Sequence, residues 1–114
     1  MPQNNHIDYI EFYAKDLDLI KTFYTTCFNW TFTDYGPDYT SFESSGIQGG
    51  FEKTEADIVN GALIVLYHDD LETCLEKVKK AGATISKEIF SFPGGRRFQF
   101  LDPSGNELSV WTHQ

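Results

Sequence analysis

The feature that most constrains this chain is a repeat hidden in it. When the sequence is laid over itself so that Asp16-Leu17 falls on Asp70-Leu71, Ile10 falls on Ile64, Tyr13 on Tyr67 and Ile20 on Cys74. Few residues are identical, but the order of elements is the same in each half. A short apolar strand is followed by an acidic residue and Leu, then by an amphipathic helix and several strand-like segments. The two copies cover about residues 7–53 and 62–112 and are joined by a polar connector, 54–61. A length of 114 residues leaves room for a single domain, so the reading is one domain built from two repeats.

In the first copy, Ile7 to Ala14 alternates with the period of a strand. Ile10, Phe12 and Ala14 then share one face and Tyr9, Glu11 and Tyr13 the other. Asp16 is a natural N-cap, and Leu17, Ile20, Tyr24, Cys27 and Phe28 form one helical stripe. Strands are predicted near Trp30–Asp34, Tyr39–Glu43 and Ile47–Lys53, with turns at Gly36-Pro37-Asp38 and Ser44-Ser45-Gly46. In the second copy a strand over Ala62–Tyr67 leads to a helix capped by Asp69 or Asp70. Leu71, Leu75, Val78 and Ala81 face its core, Lys77, Lys79 and Lys80 sit in its last turns, and Gly82 follows it. Strands are expected near Thr84–Ile89, Arg96–Leu101 and Glu107–Thr112, the last two joined by a tight turn at Asp102-Pro103-Ser104-Gly105-Asn106. The order predicts an α+β fold of tandem βαβββ modules. Each helix covers one face of a mixed sheet, and the open faces are expected to curve around and enclose a shared cavity.

Composition narrows the function. Nine basic residues against 17 acidic ones give a formal charge of -8, which argues against nucleic acid and anionic membrane as partners. No apolar run is long enough to span a bilayer, and the opening MPQNNHIDYI has no basic segment followed by an apolar one. Cys27 and Cys74 form no metal or redox motif, so the expected location is cytoplasmic and reducing. Aromatic residues at 16% fit either a heavily packed core or an aromatic-lined cavity.

Several stretches carry a resemblance. Asp16-Leu17 followed by Phe23-Tyr24 and Cys27-Phe28-Asn29-Trp30, with the closing Asp102-Pro103-Ser104-Gly105-Asn106, resembles the vicinal oxygen chelate superfamily. That group includes glyoxalase I, extradiol dioxygenases, and the bleomycin and fosfomycin resistance proteins. Tyr9-Ile10-Glu11-Phe12 and Gly46-Ile47-Gln48-Gly49-Gly50 resemble its glyoxalase-related branch, and the likeness runs from about Ile7 to Thr112. The resemblance implies a divalent metal held by His, Glu or Gln from strands of both modules. The ligand positions it implies fall here on Tyr9, Leu63, Ser109 and the neighbourhood of Gln48. Leu63 has no donor atom, and Tyr9 and Ser109 carry hydroxyls that are protonated at neutral pH. The expectation is therefore no metal and no cofactor. A shifted set of Glu11, Gln48 and Glu107 is conceivable for a hard cation, without help from a histidine.

The faces away from the helices carry Tyr9, Glu11 and Tyr13, then Leu63, Val65 and Tyr67, then Glu107, Ser109 and Trp111, with Gln48 nearby. Aromatics with a few polar groups suit a small amphipathic organic ligand. Glu11 is the candidate general base, since a carboxyl among aromatics gains proton affinity. The alternatives are that it pairs with Arg96 or Arg97, or points into water. His6 is expected in a mobile terminus, His113 stands at the far end, and His68 reads as a solvated residue before a helix or, beside two Asp, as a general base. Cys27 and Cys74 are expected to be buried and inert. Gly94-Gly95-Arg96-Arg97 reads as an anion-binding loop or as a hairpin turn with solvated charges. Three functions follow: metal-independent binding of a small molecule, a glyoxalase-type lyase or isomerase using Glu11, or a non-catalytic interaction subunit. Uncovered sheet edges and the resemblance point to a homodimer.

Overall fold

The structure, a computed structural model, describes residues 2–58, 61–103 and 105–114. Ten elements follow one another: β1 (Ile7–Ala14), α1 (Leu17–Phe28), β2 (Thr31–Asp34), β3 (Tyr39–Glu43), β4 (Gly49–Lys53), β5 (Leu63–Tyr67), α2 (Leu71–Lys80), β6 (Thr84–Phe92), β7 (Gly95–Leu101) and β8 (Glu107–Thr112). The chain divides into two compact units, Tyr9–Ala62 and Met1–Asp8 with Leu63–Gln114, called here the first and second modules.

The modules share one topology. In the first the strand order is β2-β3-β4-β1, and in the second it is β6-β7-β8-β5. In each, the opening strand pairs in parallel with the closing one, β1 with β4 and β5 with β8, while the other pairs are antiparallel. The result is a mixed α+β fold of two βαβββ modules.

The helices begin where the sequence places their caps. Asp16 has an extended backbone and accepts from the Leu19 amide at 3.1 Å, and Asp70 accepts from the Thr73 amide at 3.1 Å. The first helix ends at Asn29, whose φ of 61° lies in the left-handed region that Asn tolerates. Gly82 takes the corresponding role after α2, with φ of 94°.

Each helix covers one face of its own sheet. Under α1, the buried Ala14, Phe42 and Phe51 pack with Phe12, Leu17, Ile20, Tyr24, Trp30 and Phe32. Under α2, Leu71, Leu75, Phe98 and Val110 pack with Leu66, Cys74, Val78, Ile85, Ile89 and Phe100. Some expectations about the elements need correcting. Cys27 is exposed, and Phe28 lies at the surface, because Trp30 stacks on Tyr24 at 4.6 Å and fills the space under the last turn. Ala81 is the exposed cap of α2 and not a core residue. The Ile47 end of the fourth strand is a turn held by Ser45, so β4 starts only at Gly49.

The strand before β7 runs on to Phe92, with register shifts between Ile85 and Lys87 and between Lys87 and Phe90 that blur its alternation. In the predicted turn, Ser104 lies outside the described residues. Its flanks are closed by Asp102 and Asn106, with Gly105 at φ of 91°. Residues 59 and 60 of the connector also lie outside. His6, expected in a mobile terminus, lies in a segment tied down by hydrogen bonds: Asn5 donates to the Tyr67 carbonyl, and the His6 carbonyl accepts from the Tyr67 amide.

Candidate functional site

In the first module, strand alternation sends Phe12 and Ala14 towards α1 and Tyr9, Glu11 and Tyr13 to the opposite face. On β4, Gly50 stands opposite Glu11 and Glu52 opposite Tyr13. Gly50 matters because it has no side chain. A Cβ there would lie 2.7 Å from the Tyr39 ring, so the glycine is what lets Tyr39 fold over the strand toward Glu11. Gly49 does the same on the helix side, where a Cβ would meet Phe42 and the Ile10 carbonyl.

The result is a buried polar chain. The Tyr39 hydroxyl donates to Glu11 Oε1 at 3.3 Å and lies 2.5 Å from the Tyr9 hydroxyl. A phenol has one hydrogen to give. With Tyr39 donating to Glu11, Tyr9 is the donor in the shorter bond. Glu11 is 4% exposed. Burial, then the neighbouring Glu11 carboxylate, then the bond to Tyr9, push the Tyr39 pKa far above the phenol range. Tyr39 therefore stays protonated and serves as a fixed donor to the carboxylate. Sequence reasoning missed it. The signal was present in β3, where alternation places Tyr39 and Ser41 on the face opposite Phe42, with a glycine facing Ser41. Tyr13 and Gln48 are exposed, so the structure does not enclose them with Tyr9 and Glu11.

In the second module, Leu66 packs toward α2 while Leu63, Val65 and Tyr67 are buried on the other face. The register places Ser109 beside Val65, Trp111 beside Tyr67, and Gln99 and Arg97 beside Ser109 and Trp111 on the neighbouring strand. Trp111 donates its indole N–H to Asp8 at 2.9 Å and meets the Tyr67 ring at 5.4 Å. His113 packs its ring on both. Glu107 is exposed, and one of its oxygens accepts from Ser86 at 2.7 Å and from Gln99 at 3.0 Å. Gln99 was not singled out from sequence, although its place between Phe98 and Phe100 fixes its face by alternation.

The remaining candidates are structural. Arg96 forms a two-pronged pair with Glu72, 2.6 and 3.4 Å, and donates to the Gln114 carbonyl. Arg97 lies over the Phe90 and Phe92 rings. Gly95 already belongs to β7, so the Gly-Gly-Arg-Arg stretch is a hairpin and not an anion cradle. His68 is not a solvated side chain. It is largely buried, and its Nδ1 accepts from the Asp70 amide at 2.9 Å just before α2.

Three of the positions that the resemblance implies carry residues poorly suited to a divalent metal. Leu63 offers nothing, the Ser109 hydroxyl donates to the Phe98 carbonyl at 3.0 Å, and the Tyr9 hydroxyl donates to Tyr39. Among the described residues, no three His, Cys, Asp or Glu side chains come together.

Comparison with known proteins agrees with this architecture. No curated protein matches the chain in sequence. Among solved structures, methylmalonyl-CoA epimerase from Mycobacterium tuberculosis superposes with a TM-score of 0.74 at 12% identity, covering 100% of this chain and 91% of that one. A glyoxalase/bleomycin resistance protein/dioxygenase superfamily member from Vibrio splendidus 12B01 gives 0.70 at 16%, over 91% and 96%. The Mn(II)-bound glyoxalase from Novosphingobium aromaticivorans gives 0.69 at 20%; this chain is covered over 99% but spans 40% of that longer one. At such identities these likenesses establish the fold alone. The family model of the Glyoxalase/Bleomycin resistance protein/Dioxygenase superfamily matches residues 6–110, nearly the whole repeat. By that match, and by its two βαβββ modules, the chain belongs to the glyoxalase/bleomycin resistance protein/dioxygenase superfamily.

Proposed function

We propose that this protein binds a small amphipathic organic molecule on the helix-free faces of its sheets, without a metal. The observation that carries the reading is the Tyr9–Tyr39–Glu11 chain. It is a polar network on a sheet face that α1 does not cover, with its carboxylate 4% exposed. Burying a carboxylate is unfavourable unless hydrogen bonds replace its lost hydration, and the Tyr39 hydroxyl supplies one of them on a face that α1 does not pack against. In the second module the Tyr67 and Trp111 rings meet edge to face on the side away from α2. Metal independence is supported by the residues at the implied ligand positions, Tyr9, Leu63 and Ser109.

The test is thermal unfolding with a panel of small aromatic and heteroaromatic compounds, with and without EDTA. A compound that binds only the native state raises the melting temperature by mass action. At least one compound should do so, Trp111→Ala should reduce the shift, and EDTA should leave it unchanged. A panel with no effect, or shifts that EDTA abolishes, would overturn the reading.

A second reading is favoured by the Tyr39 donor on Glu11. A carboxylate held in place by a fixed hydrogen bond is arranged to take a proton from a carbon next to a carbonyl, as in a glyoxalase-type lyase or isomerase. Such an enzyme would exchange solvent deuterium into its substrate, and Glu11→Gln would stop the exchange. We also propose a homodimer in the cytoplasm. The exposed Leu19, Phe23 and Phe28 on α1 support the first part, and the two free thiols support the second. Sedimentation at micromolar concentration should give twice the 13.0 kDa chain mass.

A further inference from the structure

We infer that the exposed flank of α1 formed by Leu19, Thr22, Phe23, Thr26 and Cys27 is the surface on which two copies of this chain pair, their α1 helices antiparallel about a two-fold axis at Phe23. The inference rests on the homodimer proposed above and gives it an interface. Leu19, Phe23 and Cys27 stand on successive turns of α1, with Thr22 and Thr26 in the row beside them. Leu17, Ile20 and Tyr24 pack on the core, and this flank turns away from it. Leu19 is 70% exposed and Phe23 52%, and Thr22, Thr26 and Cys27 are exposed as well. The Phe28 ring, exposed and 6.3 Å from that of Phe23, extends the patch. From the area that such side chains carry, Leu19, Phe23 and Phe28 together leave roughly 300 Å² of apolar surface in water. A monomer rarely leaves a larger contiguous patch uncovered. As the apolar centre of a contact it suits a partner face of about 800 Å², the size a stable dimer needs.

Two observations name a second copy as the occupant. The first is charge. The chain carries -8, so two copies repel each other wherever their carboxylates would meet. This flank holds no charged residue. The two charges of α1, Asp18 and Lys21, lie outside it, and Lys21 contacts both Asp18 and Asp34. A basic partner would be drawn to carboxylates elsewhere on the surface and would find none here. The second is shape. A row of large side chains, Leu19 and Phe23, runs beside a row of small ones, Thr22 and Thr26. Two-fold pairing seats each Phe23 ring in the groove at the partner's Thr22 and Thr26, so the same surface supplies both ridge and groove. It also sets Leu19 across from the partner's Cys27, since each lies four residues from Phe23.

The experiment is sedimentation of the full chain at micromolar concentration, with Phe23→Glu and Thr26→Glu as variants. Wild type should sediment as a dimer. Each variant sets a carboxylate against the partner's uncharged flank and should raise the dissociation constant about tenfold or more. Thr26 is exposed, so Thr26→Glu probes the surface without disturbing the core. Orientation is read from Leu19→Cys treated with a short bis-maleimide, which should give covalent dimers linked through the partner's Cys27. Wild type, whose two Cys27 thiols stand at opposite ends of the contact, should give far fewer. Raising the wild-type concentration through the dimer range should slow amide exchange in α1 and leave α2 unchanged. A dimer indifferent to both glutamates, or α1 exchange indifferent to concentration, would overturn this interface while leaving the homodimer standing. Absence of the Cys27 link in Leu19→Cys dimers would overturn the antiparallel pairing. A wild type that sediments as a monomer would overturn the interface and the homodimer together.

Discussion

Two adjacent glycines decide the site more directly than any charged residue. Gly49 and Gly50 point to opposite faces of β4, and each is filled by an aromatic ring from β3, Phe42 on the helix side and Tyr39 on the other. Gly50→Ala should push the Tyr39 ring aside, break its bond to Glu11, and lower stability by about 1–3 kcal/mol in urea unfolding. Gly49→Ala should cost more, because the new methyl also meets the Ile10 carbonyl, and backbone cannot swing away. If both substitutions prove neutral, the rings are not seated as described. Tyr39→Phe keeps the ring and removes a donor from a buried carboxylate, with an expected loss of about 1–3 kcal/mol in the same measurement. The residue-level reading from sequence was uneven for a physical reason. Alternation alone was enough to set Glu11 on the face away from the helix. It could not tell that Tyr39 would reach Glu11, because that depends on which strand lies beside which and on an empty position at Gly50. The Gly-Gly pair read as a family marker, when it was also the mark of two rings crossing a strand.

The two helices start from the same cap and Leu but are anchored differently. The second buries Leu71 completely and Leu75 nearly so, whereas no residue of α1 is fully buried. Tertiary packing, more than propensity, holds short helices in place. Leu71→Ala should therefore cost about 2–5 kcal/mol in denaturant unfolding, as deletion of a packed Leu does. In native-state hydrogen exchange the amides of α1 should open at lower free energy than those of α2. Equal protection would show that α1 is covered in solution, as a dimer contact through Leu19, Phe23 and Phe28 would cover it. Element order, type and caps were legible because each rests on local chemistry: period, a capping carboxylate, a glycine after the last turn. The places where the reading slipped involve distant parts. Cys27 and Phe28 share the period of the stripe, but Trp30 takes the space beneath them. The end of β6 was hidden by register shifts that break alternation.

At the scale of the whole chain the dominant feature is a charge of -8, and it sets two opposing responses to acid. Protonating carboxylates relieves the mutual repulsion of an acidic surface, which favours the folded state. Against this stand carboxylates that the fold holds below their ordinary values. The Lys21 ammonium lowers Asp34 and the Arg96 guanidinium lowers Glu72, each mainly through a hydrogen bond; the hydroxyl and amide of Thr73 lower Asp70. A carboxylate with a lowered folded pKa contributes stability that is fully present above its unfolded value. That contribution is lost as pH falls through the folded one. The unfolded values are 3.8 for Asp34 and Asp70 and 4.5 for Glu72, so the loss belongs below about pH 4.5. All three are surface groups, and each effect is small and partly screened. Salt separates the two responses. General repulsion acts over many ångströms and is largely removed at about 0.5 M, while the close Arg96–Glu72 and Lys21–Asp34 contacts keep their hydrogen bonds. In 0.5 M salt the melting temperature should hold steady from about pH 7 to 5 and fall below about pH 4.5, and Glu72→Gln with Asp34→Asn should flatten that fall. A melting temperature that climbs from pH 7 to 3 in high salt, or a double variant with an unchanged acid limb, would mean that repulsion and not these contacts governs how the protein meets acid.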